Sequence, residues 1–64
     1  MGKCHAEIYY KNGELKKVAY WNGGNLNAIK QQCMRQAQQI YDQDMKMRQS
    51  MFWPTSIQIV VDEY

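Results

Sequence analysis

The sequence predicts an α+β domain in which two strands, one long helix and a third strand follow each other in ββαβ order. An Asn12-Gly13 pair separates two runs of strand-forming residues, the segment after Leu26 repeats apolar residues with a helical period, and the segment 55–62 alternates apolar and polar residues. We expect one domain over residues 1–64, with a mainly antiparallel three-stranded sheet in the order 2-1-3 and the long helix on one face. An alternative topology places the third strand beside the second as a right-handed parallel crossover.

Strand-forming runs at 5–11 and 14–21 flank Asn12-Gly13, which is the strongest hairpin signal that a short sequence carries. A two-residue turn at this pair sets Glu7 opposite Val18. A three-residue loop, with Gly13 left-handed in a β-bulge, sets Glu7 opposite Lys17 instead. We favour the three-residue loop because it pairs opposite charges across the strands.

That register divides the side chains of the hairpin between two faces of the sheet. The residues expected to face the helix are Cys4, Ala6, Ile8, Tyr10, Val18 and Tyr20. The residues expected on the opposite face, which no element of the chain covers, are His5, Glu7, Tyr9, Leu15, Lys17, Ala19 and Trp21. We call this second surface the open face.

The run Asn-Gly-Gly-Asn at 22–25 predicts a turn, after which Asn25 or Asn27 can cap a helix by accepting from a free backbone N–H. The helix is expected from Leu26 to about Gln49, since this segment contains neither Pro nor Gly. Its apolar stripe comprises Leu26, Ile29, Cys33, Ala37 and Ile40. The stripe then reaches Asp44, which interrupts the core-facing run.

Pro54 restricts Trp53 to an extended conformation and leads into the last strand, in which Ile57, Ile59 and Val61 point to one side. A helix from 27 to 48 spans about 33 Å and overhangs an eight-residue strand of about 26 Å. The overhang carries Met45, Met47, Met51, Phe52 and Trp53. These side chains form either a soft apolar tip or, where Phe52 or Trp53 folds back, a plug that closes the end of the core.

Composition excludes several classes of function. Eight Lys and Arg against six Asp and Glu leave a net charge of +2. The sequence shows neither a signal peptide nor an apolar run long enough to span a membrane. We therefore expect a cytoplasmic protein with no membrane partner. Cys4 and Cys33 are expected to be buried free thiols, because no spacing typical of a metal site accompanies them. His5 has no recognisable partner in the sequence. We therefore expect no catalytic residue, no metal, no cofactor and no enzymatic activity.

The open face is the first candidate for a binding surface. Tyr9 and Trp21 are expected to anchor a protein partner there, either a foreign protein or a second copy of the chain, while Lys16 and Lys17 at the rim steer its approach. Met47 and Trp53 at the tip are the second candidate. The alternative function is binding of nucleic acid by stacking bases on the open face, but a net charge of +2 and a pI near 8.6 are low for a phosphate-binding domain.

Over residues 5–62, the hairpin AEIYYKNGELKKVAYW with the following helix and C-terminal strand resembles, in architecture, small phage-encoded proteins that bind and inhibit host or defence enzymes. The resemblance implies a protein that acts by blocking a larger partner. It transfers no functional residue, so the candidate residues rest on their expected exposure.

Overall fold

The computed structural model describes residues 2–63 and contains the elements β1 (Lys3–Tyr10), β2 (Leu15–Asn22), α1 (Leu26–Met47), a 3₁₀ turn (Ser50–Phe52) and β3 (Pro54–Glu63). The three strands form an antiparallel sheet in the order β2-β1-β3, with α1 packed on one face. The predicted α+β class, the ββαβ order and the 2-1-3 topology are confirmed, and the parallel crossover is excluded. The expected bounds 1–64 include Met1 and Tyr64, which lie outside the described residues.

The hairpin has the three-residue loop that charge pairing predicts. Glu7 pairs with Lys17, Tyr10 N–H donates to Glu14 O at 3.0 Å, and Gly13 N–H donates to Tyr10 O at 3.0 Å. Gly13 has a φ of +90°, a conformation that a side chain would strain. The hairpin loop therefore fixes the register of the first two strands.

The helix begins where the capping signal places it. The side chain of Asn25 accepts from the backbone N–H groups of Asn27 and Ala28, at 2.9 and 3.4 Å. The helix ends at Met47, slightly before the predicted end, because Arg48 is already extended while its N–H still bonds to Asp44 O. Within residues 2–63 the helix is not long and apolar enough to cross a membrane.

The predicted apolar stripe of α1 packs on the sheet in two adjoining clusters. One cluster surrounds Ala6, Ile8, Tyr10 and Ala37, and the other surrounds Cys4, Ile29 and Cys33. The half-buried side chains around them include Val18, Leu26, Ile40, Ile57 and Ile59, as the periodicities of strand and helix predict. Val61 is half-buried and pairs with Cys4.

Asp44, which interrupts the apolar stripe, has a structural partner. The hydroxyl of the buried Tyr10 donates a short hydrogen bond to its carboxylate, and Arg48 forms an ion pair with the same side chain at 3.7 Å. The guanidinium of Arg48 also lies 4.9 Å from the centre of the Tyr10 ring. A polar side chain at this position of the stripe is thus satisfied rather than misplaced.

The two cysteines are free thiols buried between β1 and α1. Cys33 S–H donates to the carbonyl of Ala19 at 3.0 Å, and the sulfur atoms of Cys4 and Cys33 are 3.0 Å apart. Both thiols therefore have a polar contact within the core.

We expect Ile29→Ala to lower the free energy of unfolding by about 2–5 kcal/mol, because Ile29 is 3% exposed and its truncation leaves a cavity between helix and sheet. Met47→Ala is the matched control, since Met47 is 76% exposed and its truncation should change stability by about 0.5 kcal/mol or less. Urea unfolding followed by circular dichroism measures both. Equal midpoints for the two variants would contradict the core assignment.

We expect stability to fall as the pH rises above about 9. Burial and the contact with Cys4 raise the pKa of Cys33 from its ordinary value of 9.0 to about 12, and burial and the bond to Asp44 raise the pKa of Tyr10 well above 10.0. The unfolded chain therefore loses these protons at a lower pH than the folded chain, so the free energy of unfolding declines from pH 9 toward 12.

Denaturant unfolding at a series of pH values from 8 upward tests the alkaline decline. The variants Cys33→Ala and Tyr10→Phe should each flatten the curve, whatever they do to stability at pH 8. A parent protein whose unfolding free energy stays constant through this range would contradict the prediction.

Candidate functional site

A β-bulge in β2 decides which side chains reach the open face. Ala6 pairs with Val18 but Cys4 pairs with Trp21, so Ala19 and Tyr20 together lie opposite the single residue His5. Ala19 adopts a φ of +57°, which is uncommon for a residue with a side chain. Beyond the bulge every side chain of β2 changes face relative to an uninterrupted strand.

The predicted faces of three residues are consequently wrong. Trp21 packs against the cluster of Cys4, Ile29 and Cys33 on the helix side, and Ala19 also packs on the core. Tyr20, predicted to face the core, lies on the open face with 66% of its surface exposed. The cause is the extra residue of the bulge, which the hairpin loop alone does not predict. Trp21 is therefore half-buried and does not anchor the open face as expected.

The two lysines predicted at the rim of the open face lie on opposite faces of the sheet. Lys17 lies on the open face opposite Glu7, as predicted. Lys16 pairs with Ile8 on the helix side, and its ammonium group lies 5.5 Å from the centre of the Tyr10 ring. Lys16 thus covers the end of the core and is not part of the rim of the open face.

His5 is the centre of a polar cluster on the open face. It is 6% exposed, its ring stacks on Tyr20 with the ring centres 5.3 Å apart, and its Nδ1 lies 2.6 Å from the carboxylate of Asp62. On the other side, Nε2 lies 3.5 Å from the carboxylate of Glu7. Both ring nitrogens therefore face a carboxylate of this chain.

Tyr9, one of the two residues predicted to anchor a partner, belongs to the same polar cluster. Tyr9 donates its hydroxyl hydrogen to Glu7 at 3.0 Å, and this hydrogen bond to the carboxylate raises the pKa of Tyr9. Tyr9 remains on the open face, as predicted, but its hydroxyl is bound within the chain. No group of His, Cys, Asp and Glu side chains among residues 2–63 is arranged to hold a metal ion.

The far end of the helix presents the second candidate surface, which we call the apolar tip: Met45, Met47, Met51, Phe52 and Trp53. Met47 and Met51 are 76% and 59% exposed, whereas Phe52 and Trp53 are 39% and 37% exposed. The two aromatic side chains are less exposed than these methionines, but neither belongs to the two clusters of the core.

Three contacts hold Trp53 in place. Its indole N–H donates to Arg48 O at 2.9 Å, its backbone carbonyl accepts from Lys11 N–H at 2.8 Å, and its backbone N–H donates to Ser50 O at 3.2 Å. Arg48 in turn bonds to Glu14 at 3.3 Å. The tip is thus connected to the hairpin loop and to the last turn of the helix.

The Gln-rich back of the helix is solvated. A shallow, open groove runs along it, and one of its amides, Gln38, donates to Asp42 at 2.9 Å. The residues along this groove are Gln31, Met34, Arg35, Gln38, Gln39 and Asp42. Nothing closes the groove, so it resembles an ordinary helix surface.

Comparison with known proteins found no match to a family model, to a curated protein or to a solved structure.

We expect Trp21→Ala to reduce the free energy of unfolding by about 2 kcal/mol, because it removes a half-buried ring from the helix–sheet core. Tyr20→Ala should cost about 0.5–1.5 kcal/mol, since it removes only the stack on His5. Thermal unfolding of both variants tests the bulged register. A greater loss of stability for Tyr20→Ala than for Trp21→Ala would contradict it.

Proposed function

We propose that this chain is a cytoplasmic, non-enzymatic protein-binding module that inserts its apolar tip into an apolar groove of a larger protein and thereby blocks that protein. The observation that carries the proposal is the exposure of five large apolar side chains between positions 45 and 53. Exposed apolar surface of this kind is typical of protein interfaces, and Met and aromatic side chains are enriched in them.

The rigidity of the apolar tip supports this role. The indole of Trp53 is held by its hydrogen bond to Arg48 O, and its backbone is held by Lys11 and Ser50, so the ring loses little conformational freedom when it binds. The indole N–H is already satisfied, and its burial in an interface leaves no unpaired donor. The flexible side chains of Met47 and Met51 beside it can adapt to the shape of the groove.

The charge around the tip indicates the chemistry of the partner. Lys46 lies in the last turn of α1, and Lys11 adjoins Trp53 in the hairpin loop. Neither ammonium group forms an ion pair with any of the residues 2–63. A groove with an apolar floor and an acidic rim is therefore the complementary surface, and the lysines would accelerate association with it.

The geometry of His5 argues against an enzyme. The imidazole is the only one in the chain, it is buried, and both of its nitrogens face carboxylates of the chain. A general base must reach a substrate proton within hydrogen-bond distance, and a covered ring with both nitrogens occupied offers no such approach.

Charges on the open face argue against nucleic acid. Lys3 and Lys17 lie on this face together with Glu7, Asp62 and Glu63, and Lys3 is paired with Glu63 at 3.6 Å. A phosphate backbone would meet repulsion as well as attraction on such a surface. Tyr20 is exposed there, but it stacks on His5 and has one ring face covered.

Affinity capture tests the proposed function. The parent chain, Met47→Asp and the control Met34→Asp are immobilised and exposed to lysate of the native host. Met34 is an exposed methionine on the outer face of the same helix, 39% exposed, so its replacement changes charge equally but lies away from the tip.

We expect one protein to be retained by the parent and by Met34→Asp and to be lost with Met47→Asp. With that protein purified, Met47→Asp should weaken binding at least about tenfold, and saturating parent chain should inhibit the protein's activity. Equal retention by both variants would overturn the role of the tip. Recovery of nucleic acid alone, lost between about 50 and 200 mM salt, would favour the alternative function.

A further inference from the structure

The two outer strands of the sheet differ in how well their free edges are protected. β2 is interrupted by the bulge at Ala19 and carries Lys16 and Lys17, two features that discourage pairing with another strand. β3 pairs with β1 in an unbroken register from Ser56 to Val61, with register shifts only at the two ends of the strand, and contains no Lys or Arg. Its single Pro is the first residue, Pro54. The edge of β3 is thus open to a further strand.

The hydrogen bonds of β1 show which backbone groups of β3 are used within the sheet and which point to its free edge. Tyr10 N–H bonds to Glu14 O on the β2 side, and peptide groups alternate in direction along a strand, so those of Tyr9, Glu7 and His5 point to β3. Consistent with this, Tyr9 O accepts from the hydroxyl of Thr55 at 3.2 Å.

The partners of these β1 residues on β3 are Ser56, Gln58 and Val60, which use their backbone groups within the sheet. The alternate residues Ile57, Ile59 and Val61 therefore direct N–H and C=O to the free edge. All three have half-buried apolar side chains on the helix side, where a neighbouring strand would cover them further.

The sequence of β3 complements itself when two copies run antiparallel. With Ile59 opposite its own copy, Ile57 lies opposite Val61 of the second copy, and all three edge residues form hydrogen-bonded pairs. A shift of two residues in either direction removes one of these pairs.

The charges favour the same arrangement. Asp62 then lies near Ser56 of the second copy, whose hydroxyl can donate to its carboxylate. A parallel arrangement would instead place the acidic residues of the two copies side by side, where like charges repel.

We propose that the protein forms a homodimer in which the β3 edges of two copies pair antiparallel about a twofold axis at Ile59, giving a continuous six-stranded sheet. Antiparallel pairing about this axis keeps both helices on the same face of the sheet. Because β3 begins beside Trp53, the two apolar tips lie at opposite ends of the dimer. The dimer does not depend on the function proposed for the tips, and it would present two of them.

Chemical synthesis of this short chain allows a test that changes a single backbone atom. A methyl group on the backbone nitrogen of Ile59 removes an N–H that points to the free edge and leaves every side chain and every hydrogen bond within the sheet in place. The matched control carries the methyl group on the backbone nitrogen of Lys17, which points to the free edge of β2. Circular dichroism establishes that both chains fold.

Sedimentation equilibrium over an approximately 100-fold range of concentration measures association. We expect the parent and the chain methylated at Lys17 to dimerise with similar affinity, and the chain methylated at Ile59 to dimerise at least about tenfold more weakly, because the substituted nitrogen occurs twice at the interface. A parent that stays monomeric throughout overturns the proposal. Weakening by methylation at Lys17 but not at Ile59 also overturns it.

Discussion

The bulge at Ala19 and Tyr20 is the constraint on which the rest of the structure depends. It turns Trp21 toward the helix, where its ring completes the cluster around Cys4 and Cys33, and it turns Tyr20 onto His5. The left-handed conformation of Ala19 has an energetic cost of about 1 kcal/mol or more. The thiol of Cys33 helps to stabilise it, since its hydrogen bond satisfies the carbonyl of Ala19. The same bulge interrupts the middle of β2, whereas β3 is regular from Ser56 to Val61.

The opposite end of the molecule is organised by polar contacts around an aromatic ring. The Tyr10 ring lies against Lys16 and Arg48, and its hydroxyl donates to Asp44. Arg48 also forms an ion pair with Glu14, the residue that precedes β2. These contacts close the end of a core that has few large aliphatic side chains. They also fix the position from which Trp53 and the methionines of the apolar tip project. Local stability and the presentation of the tip thus have the same physical origin.

The open face contains a polar cluster, whereas hydrophobic patterning indicates an apolar surface. A three-stranded sheet with one helix leaves one face without a covering element, and such a face usually needs apolar contact with a partner or a polar surface. Here His5, Glu7 and Asp62 satisfy each other, and Tyr20 covers the imidazole. Because this face supplies its own polar partners, we propose the apolar tip and the β3 edge, rather than the open face, as surfaces of association.

Most of the fold follows from local chemistry that can be recognised in the sequence. Asn12-Gly13 and the pairing of Glu7 with Lys17 predict the hairpin loop, Asn25 predicts the start of the helix, and the spacing from Ile29 to Ile40 predicts its buried stripe. The exposure of Met47 follows from the length of the helix relative to the strands. In each case the signal depends on neighbours in sequence, for which periodicity and turn chemistry are sufficient.

The faces of Tyr20 and Trp21 could be decided only by tertiary structure. A bulge at Ala19 has no local sequence signal, because alanine has no preference for a left-handed conformation. The bulge is stabilised by the packing of Trp21 and by the hydrogen bond from Cys33, which is fourteen residues away in the sequence. The sequence also does not reveal the partner of His5. Asp62 lies at the other end of the chain and reaches the imidazole only through the register of β3 on β1. The sequence by itself determined the elements, their order and the helical half of the core. Long-range packing decided which side chains of β2 became surface, because one extra residue in a strand reverses every side chain beyond it.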